Sequence, residues 1–228
     1  MLISEQKSGH DSIISRVKRW FSPPSPWLAL VGVDGSGKST VLAQLEQTAV
    51  ATGYAGLFVL HRRPQLLYKT AVASQRGHIE HYGKKPHGTV LSAVKLVAIW
   101  LDWLLGYFFL IRARRKQRIL VIADRHALLD MLVDPLRYRY GGSPRWVQTA
   151  MRCLPMPDGV ILLDAPTAVL QARKQELTAK QAAELRQRYL ALVDKIPRGH
   201  VVDASQSVKQ VTADVWQLVF RFESLADK

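Results

Sequence analysis

Five short apolar runs along the chain predict the strands of a sheet. They cover residues 27–33, 55–61, 119–123, 160–163 and 200–202. Between them, apolar residues recur at helical spacing and predict helices over 38–51, 89–116, 144–153, 178–194 and 207–222. Nearly continuous apolar strands that alternate with helices are typical of a parallel sheet covered on both faces. We therefore predict an α/β fold, with a five-stranded parallel sheet and helices on both of its faces.

The helical segment 89–111 is the most apolar of these and could be mistaken for a membrane span. A spanning helix has about 20 apolar residues with few or no charges, whereas Asp102 lies inside the apolar run 96–111 and Lys95 just before it. On a helix, one narrow face carries a polar stripe, formed by Ser92, Lys95, Ile99, Asp102 and Gly106. We predict a buried or interfacial helix whose stripe faces a polar cleft, with its other faces in the core or against a second subunit. Contact with a lipid surface is the alternative.

Residues 1–26 are predicted to form a separate N-terminal unit, and residues 27–228 a single domain. Helical spacing of apolar residues predicts a short amphipathic helix over 11–21, which ends at the proline-rich linker 22–26. The first basic residues are not followed by a continuous apolar core or a cleavage site, so the pattern is not that of a secretory signal. Two interpretations stay open: a helix that packs on the domain, and an anchor at a membrane surface.

The positive net charge of the chain indicates which kinds of molecule it binds. Its 32 Lys and Arg residues exceed the 18 Asp and Glu residues and give a formal net charge of +14. Such an excess favours anionic partners, among them nucleotide phosphates, nucleic acid and an acidic membrane surface. The basic residues are spread over the chain without an RNA- or DNA-reading motif, which argues against nucleic acid.

The presence of a single cysteine indicates the cellular compartment in which the protein works. Cys153 alone cannot form an internal disulfide, and a chain without disulfides fits a reducing compartment. We therefore expect a cytoplasmic protein, with peripheral contact at the inner membrane face as the alternative.

A phosphate-binding motif follows the first predicted strand. Residues 32–40 read Gly-Val-Asp-Gly-Ser-Gly-Lys-Ser-Thr and match the complete pattern Gly-x-x-x-x-Gly-Lys-Ser/Thr between a strand and a helix. The glycines let several backbone N–H groups point into one concavity, and the helix adds its positive end. Lys38 would reach the β- and γ-phosphates, and Ser39 would hold Mg²⁺. The motif predicts a P-loop NTPase fold that binds a nucleoside triphosphate.

A carboxylate and an arginine follow the third predicted strand. Asp124 and Arg125 come at its carboxyl end, which lies near the phosphate loop in sheets of this type. Asp124 could hold Mg²⁺ through water or receive a proton from an acceptor, and the planar guanidinium group of Arg125 suits a phosphate. A kinase needs an acceptor site and cations beside the loop, whereas a switch or a motor needs a water-orienting apparatus. These two residues therefore favour phosphoryl transfer.

Residues 27–222 resemble the thymidylate kinase family of P-loop nucleoside monophosphate kinases in five features that occur in the same order. They are the loop 33–40 with an acidic residue at Asp34, the Asp-Arg-aromatic motif that ends 111–126, Leu-Asp-Ala-Pro at 163–166, a lid-like segment at 176–189, and Asp-Ala-Ser within 202–206. The resemblance implies ATP as the donor, Mg²⁺, a lid over about 174–189 that closes on the substrates, and a homodimer formed through the 89–111 helix.

The resemblance also implies roles for single residues. Catalysis would involve Lys38, Asp124, Arg125 and Arg173, and Lys174 would be a further candidate to neutralise the transferred phosphoryl group. Ser39 and Asp124 would hold the metal. ATP would be held by Gly32, Gly35, Ser36, Gly37, Lys38, Ser39, Thr40, Asp203, Ala204 and Ser205. The acceptor would be held by Asp34, Arg62, Asp102, Arg125 and Tyr140. Arg186 and Arg188 are interpreted as part of a solvated helix face.

The chain departs from the family pattern only on the acceptor side. Residues 61–64 read His-Arg-Arg-Pro and lack the carboxylate of the family's Thr-Arg-Glu-Pro-Gly-like stretch. Trp103 stands where the family has an arginine, although Asp102 before it is kept. Residues 137–142 read Arg-Tyr-Arg-Tyr-Gly-Gly in place of a Tyr-Gln-Gly-like stretch. A more cationic and more aromatic acceptor pocket could suit a larger or more anionic molecule.

Three functions are compatible with these features. The first is an ATP-dependent phosphotransferase that acts on a nucleoside monophosphate similar to dTMP. The second is a kinase of the same fold that acts at a membrane on a phosphorylated sugar or a lipid-linked or surface glycan. The third is a nucleotide-binding module without transfer activity, against which the presence of Lys38, Ser39, Asp124 and Arg125 argues.

Overall fold

The computed structural model describes residues 25–67 and 85–226 of the 228-residue chain. Its strands are β1 (Trp27–Val31), β2 (Gly56–His61), β3 (Ile119–Asp124), β4 (Gly159–Asp164) and β5 (Gly199–Asp203). Each strand matches one of the five apolar runs of the sequence to within two residues at either end. The predicted helix over 11–21 and its linker as far as residue 24 lie outside the described residues.

The strands form one parallel sheet in the order β2-β3-β1-β4-β5. β1 lies at its centre, and all five of its residues are buried, as expected for a strand covered on both faces. The register pairs Leu30 of β1 and His61 of β2 with Asp124 of β3. The carboxyl ends of these three strands therefore meet at one edge. The predicted α/β fold with a five-stranded parallel sheet is confirmed.

The described helices between the strands are α1 (Lys38–Thr48), α2 (Thr89–Gly106), α3 (Arg112–Lys116), α4 (Ala127–Val133), α5 (Pro144–Arg152), α6 (Thr167–Arg173), α7 (Ala179–Val193) and α8 (Val208–Ala226). A 3₁₀ helix over Pro135–Tyr138 follows α4. The 3₁₀ helix, α4 and α6 were not predicted from the sequence. They are four to seven residues long, which is too short for a helical period of apolar residues to become visible.

Helix α7 begins at a capping box. The Thr178 hydroxyl accepts a hydrogen bond from the Gln181 N–H at 3.3 Å, and the Gln181 side chain accepts one from the Thr178 N–H at 3.0 Å. Two N–H groups that an isolated helix end would leave without partners are thus satisfied. This local signal fixes the start of the helix that carries the lid-like residues.

The polar stripe of α2 faces the protein, and its apolar face points outward. Its buried residues include Ser92, Ile99, Asp102 and Gly106. Its exposed residues include Val90, Leu91, Val94, Val97 and Leu101. The expectation of a buried or interfacial helix agrees with this, but the stripe lies against packed protein and not at the expected polar cleft. The stripe residues instead hydrogen-bond to backbone groups of adjacent segments: the Gly141 N–H donates to Ser92 Oγ at 2.9 Å, and Lys95 Nζ donates to the Tyr138 carbonyl.

The same helix passes a simple test for a membrane span. Within the described ranges, Thr89–Lys116 is one continuous helical stretch of 28 residues that is long and apolar enough to cross a bilayer. A core helix of a globular domain passes this test as well, and 33% of the most apolar window is buried in the fold. The fully buried Asp102 carboxylate, which bonds to neighbouring protein groups, favours the interpretation as a packed helix.

A π turn over Tyr107–Ile111 joins α2 to α3. Ile111 and Arg115 both point inward from this part of the helix, with 0% and 4% exposure. Arg115 Nη2 lies 2.6 Å from Asp158 Oδ2, and Arg115 Nε donates to the Ser25 carbonyl at 2.8 Å. These contacts fix the end of the long helix to the segment that leads into β1.

Candidate active site

The P-loop lies between the carboxyl end of β1 and the first turn of α1. Gly35 and Gly37 have φ angles of 88° and 86°, in the left-handed region that glycine adopts without a steric penalty. A Cβ atom on Gly35 would lie 2.7 Å from the Leu170 carbonyl oxygen, so α6 packs against the loop too closely for a side chain. Ser39 and Thr40 are exposed at the first turn of α1. The structure thus places the residues of the predicted phosphate loop together.

Lys38 folds back into this loop. Its Nζ atom donates hydrogen bonds to the carbonyl oxygens of Gly32 at 2.9 Å and Val33 at 3.0 Å, and to Ser36 Oγ at 3.1 Å. Burial and then the charge of Arg125 lower the pKa of Lys38 to about 7, although nearby carboxylates act in the opposite direction. The ammonium group is therefore held inside the loop, where the motif places phosphate oxygens.

Two arginines from distant parts of the chain meet at Asp34. Arg125 Nη2 lies 2.6 Å from Asp34 Oδ1, and Arg137 Nη2 lies 2.7 Å from Asp34 Oδ2. Burial alone would raise the pKa of Asp34, but the charges of the two guanidinium groups hold this pKa well below its ordinary value. A pair of buried cations thus lies directly beside the P-loop.

A second layer of buried side chains holds these arginines in place. Arg125 Nη1 donates to the Tyr189 hydroxyl at 3.1 Å, which in turn donates to Asp130 Oδ1 at 2.8 Å. Arg137 Nε donates to Asp134 Oδ2 at 3.1 Å. Apart from Arg125, the sequence analysis gave none of these residues a role of its own. The available signal was a pair of aspartates four positions apart in an otherwise apolar stretch, which places both carboxylates on one side of a helix.

Asp124 lies at the end of β3, as predicted. Its Oδ2 atom is 3.1 Å from His61 Nδ1, whereas its buried Oδ1 atom has no hydrogen-bond partner among the described residues. Burial would raise the pKa of Asp124, but the hydrogen bond with His61 and the nearby cations lower it, so that the carboxylate is ionised at neutral pH. An ionised oxygen without a donor is what a hydrated Mg²⁺ ion uses in a nucleotide site. Together with the exposed Ser39, Asp124 fits the predicted metal site.

The segment 203–205, which the resemblance assigns to ATP binding, lies at the end of β5. The Ser205 N–H and hydroxyl both donate to Asp203 Oδ1, at 2.9 and 2.6 Å. Arg173 Nη1 donates to the Ala204 carbonyl at 2.9 Å, and it lies 4.0 Å from the position of a Cβ atom on Gly37. Arg173 therefore spans from the phosphate loop to the segment 203–205. Its expected role beside the transferred phosphoryl group stays a prediction, because its guanidinium group lies beside Gly37 of the loop and bonds to the Ala204 carbonyl.

Two of the lid-region cations have carboxylate partners. Arg186 is partly exposed, and it is fixed by two parallel hydrogen bonds of 2.8 Å to Asp164, a pairing that the interpretation as a solvated face did not include. Arg188 donates to the Val133 carbonyl at 3.3 Å. Lys174 is exposed and lies 3.0 Å from Glu176. The two-bond pair fastens the middle of α7 to the end of β4, close to the P-loop edge of the sheet.

Asp102 lies inside the protein and not, as expected from the sequence, at a surface where it could contact the acceptor. The carboxylate has 0% exposure and accepts hydrogen bonds from Arg63 Nη1 and from the N–H groups of residues 65–67, at 2.6–3.2 Å. Pro64 packs against α2 at Gly106, where a Cβ atom would lie 2.1 Å from Pro64 Cγ. Asp102 therefore holds the segment after β2 in place from inside the protein instead of facing a ligand.

Tyr140 and Trp103 also belong to the interior. Tyr140 is 4% exposed, and its hydroxyl donates to the Ser143 carbonyl at 3.1 Å. Trp103 stacks on the buried His126 ring with centroids 3.9 Å apart. Neither ring is open to an acceptor, so the expected acceptor contact of Tyr140 is not supported. Arg62, in contrast, is partly exposed at the end of β2 with a φ angle of 63°, beside the site.

The fold and the site together define a class of protein. P-loop kinases need a complete phosphate loop with cations and a carboxylate beside it. This chain has such a loop on its central strand, with paired arginines and a carboxylate at the same edge of the parallel sheet. The family model described as thymidylate kinase matches residues 30–215. The chain therefore belongs to the thymidylate kinase family, and it is a nucleotide kinase.

Three curated proteins are similar to the chain over most of their length. The "Probable thymidylate kinase" of Pyrobaculum aerophilum is 27% identical over 207 residues, which cover 86% of this chain and 96% of the relative. The "Probable thymidylate kinase 1" of Saccharolobus solfataricus is 27% identical over 199 residues, with coverages of 84% and 95%. The "Probable thymidylate kinase" of Sulfolobus acidocaldarius is 23% identical over 206 residues, with coverages of 86% and 96%.

Proposed function

We propose that the protein transfers the γ-phosphoryl group of ATP to a nucleoside monophosphate, with dTMP as the reference acceptor, in the cytoplasm. The observation that carries this proposal is the placement of Asp34. It belongs to the P-loop, and it binds two buried arginines beside that loop, which would face the acceptor. The names of the relatives support dTMP as the first acceptor to test.

The donor side would bind ATP through the loop and the first turn of α1. Lys38, held among the oxygens of Gly32, Val33 and Ser36, is placed to exchange these bonds for phosphate oxygens. Ser39 and the free Oδ1 atom of Asp124 would hold Mg²⁺, which supplies positive charge at the β- and γ-phosphates when it is bound. The base would lie along 203–205.

The acceptor side would seat the acceptor phosphate between Arg125 and Arg137. Both guanidinium groups are preorganised, because Tyr189 holds one and Asp134 holds the other. Buried and fixed cations stabilise developing charge without a reorganisation cost at the moment of transfer. Catalysis would therefore come from positioning and charge neutralisation, with Asp124 as the group that can also receive the acceptor proton. Arg173 would contribute by orienting the donor.

The test is an ADP-release assay with ATP and Mg²⁺ against a panel of nucleoside monophosphates that includes dTMP. We expect release with dTMP well above the rate without acceptor, and its loss in Lys38→Met. Lys209→Met, which changes an exposed lysine of α8, is the matched control and should keep full activity. Stimulation by no monophosphate, with ATP binding intact, would overturn the proposal and leave a phosphorylated sugar or a glycan as the acceptor class to test.

A further inference from the structure

A group of basic side chains on the acceptor side has no role in the site described above. We call His87, Lys95 and Arg139 the basic cluster. Hydrogen bonds join the segments that carry it: the His87 N–H donates to the Arg139 carbonyl at 2.8 Å, and Lys95 Nζ donates to the Tyr138 carbonyl. Arg139 Nε donates to the Lys85 carbonyl at 3.1 Å. The cluster is thus built from three parts of the chain that are fastened to one another.

Within the described part of the chain, the cluster differs from four buried arginines of the fold in its lack of a carboxylate. Among the residues that the structure describes, Arg63, Arg115, Arg125 and Arg137 each pair with an aspartate. Lys95 and Arg139 are partly buried, but within the same ranges their polar contacts are neutral carbonyl groups. Charges that are removed from water are ordinarily paired, and Lys95 and Arg139 are shielded from water in part without such a pair among the described residues. Burial, followed by the charges of Arg139 and Arg63, lowers the pKa of Lys95, in keeping with an excess of positive charge there.

The backbone at Arg139 adds a second observation. Its φ angle is 48°, in the left-handed region that costs free energy for every residue with a Cβ atom and that glycine or asparagine occupies more easily. Residues held in this region concentrate at binding and catalytic sites. The conformation places the Arg139 carbonyl on the His87 N–H and directs the side chain to the Lys85 carbonyl. An arginine here is therefore bound into the segment that forms the cluster.

The cluster adjoins the seat proposed for the acceptor phosphate. Arg137 contacts Asp34 of the P-loop, and the Cα atom of Arg139, two residues further on, lies within about 7 Å of the Cα atom of Arg137. We propose that the basic cluster binds a second anionic group, a phosphate or a carboxylate, of the acceptor. This inference rests on the proposed function for the place of the acceptor. It implies that acceptors with two anionic groups bind more tightly than dTMP.

The experiment compares dTMP with thymidine 3′,5′-bisphosphate by isothermal titration calorimetry, which does not require turnover. In the wild-type protein we expect the bisphosphate to bind about tenfold or more tightly, as for one additional charge-assisted contact. Lys95→Met and Arg139→Gln should each remove this preference, and Lys209→Met should keep it. Melting temperatures without ligand, equal to that of the wild type, would exclude misfolding as the cause.

Inorganic phosphate, measured by thermal shift, separates the two sources of the anion. Stabilisation by phosphate alone that both cluster variants abolish, with no preference for the bisphosphate, would support the subsite and assign it to a free anion. Equal binding of the two nucleotides without any phosphate effect, or a preference that survives both substitutions, would overturn the inference. A preference for the bisphosphate without turnover of any monophosphate would keep the subsite and reject the proposed function.

Discussion

Arg137 and Asp34 form a buried ion pair of 2.7 Å although 103 positions separate them in the chain. Arg137 comes from the 3₁₀ helix after α4, and Asp34 lies in the P-loop. The pair therefore fastens this 3₁₀ helix directly to the P-loop. Arg125 completes the arrangement from the other oxygen of the same carboxylate, at 2.6 Å.

Substitution of Arg137 should affect both folding and the acceptor. Arg137→Met removes the guanidinium group that pairs with both Asp34 and Asp134, so we expect the free energy of unfolding to fall by about 3 kcal/mol, measured by urea denaturation. The KM for the acceptor should rise more than the KM for ATP. Arg152→Met, at an exposed position of α5, should change neither. Equal increases of both KM values would contradict the assignment of Arg137 to the acceptor side.

Asp34 should make stability depend on acid pH. Its pKa in the folded protein is held below that of the unfolded chain, which is about 3.9. The stabilisation is therefore fully present above the unfolded pKa and is lost as the pH falls from there toward the folded pKa. We expect Asp34→Asn to be less stable at pH 7 and to lose less stability between about pH 5 and pH 2. Urea denaturation across this range is the measurement, and Asp194→Asn at an exposed site is the control.

Asp124 should act on turnover and hardly on ATP affinity. Asp124→Asn keeps the shape of the side chain but removes the charge at the free Oδ1 atom, so we expect kcat to fall by about a hundredfold or more. ATP affinity, measured by calorimetry without Mg²⁺, should change little, because the loop and Lys38 remain. A variant with wild-type turnover and an unchanged Mg²⁺ requirement would remove Asp124 from the catalytic residues.

The outward face of α2 should bind a second copy of the chain. Val94 and Val97 are 60% and 55% exposed on this face, and Phe109 beyond it is 68% exposed, which is an extended apolar surface for a protein to leave in water. We expect light scattering to give the mass of a dimer for the wild type and of a monomer for Val94→Glu. Gln47→Glu adds the same charge on exposed α1 and should stay dimeric. A monomeric wild type would contradict this expectation.

Most of the fold and the donor side could be predicted because their signals are local. Each strand is an uninterrupted apolar run, and the P-loop places its glycines, Lys38 and Ser39 within nine consecutive residues. The carboxyl-end position of Asp124 follows from the strand before it and the parallel order of the sheet. Residues that are adjacent in the sequence are therefore also adjacent in the structure, and their placement can be predicted without knowledge of tertiary contacts.

The acceptor side was less predictable because tertiary pairing decides which charges stay available. The sequence position of Asp102 predicted a contact with the acceptor, but its carboxylate accepts hydrogen bonds from three backbone N–H groups of the segment after β2. Arg186 had the spacing of a solvated helix face, yet Asp164, 22 positions earlier, pairs with it. Neither partner can be recognised from spacing, because both depend on how helices pack on the sheet.

The π turn between α2 and α3 allows both ends of this helical stretch to point their polar side chains into the protein. Inward positions step by five residues from Gly106 to Ile111 and then by four to Arg115, so the extra residue advances the helix by about 100°. In an uninterrupted α-helix, the register that points Asp102 inward would turn Arg115 away from Asp158. One inserted residue therefore lets Asp102 and Arg115 of one continuous helical stretch both bond to the domain, while the apolar outer face remains available to a second protein.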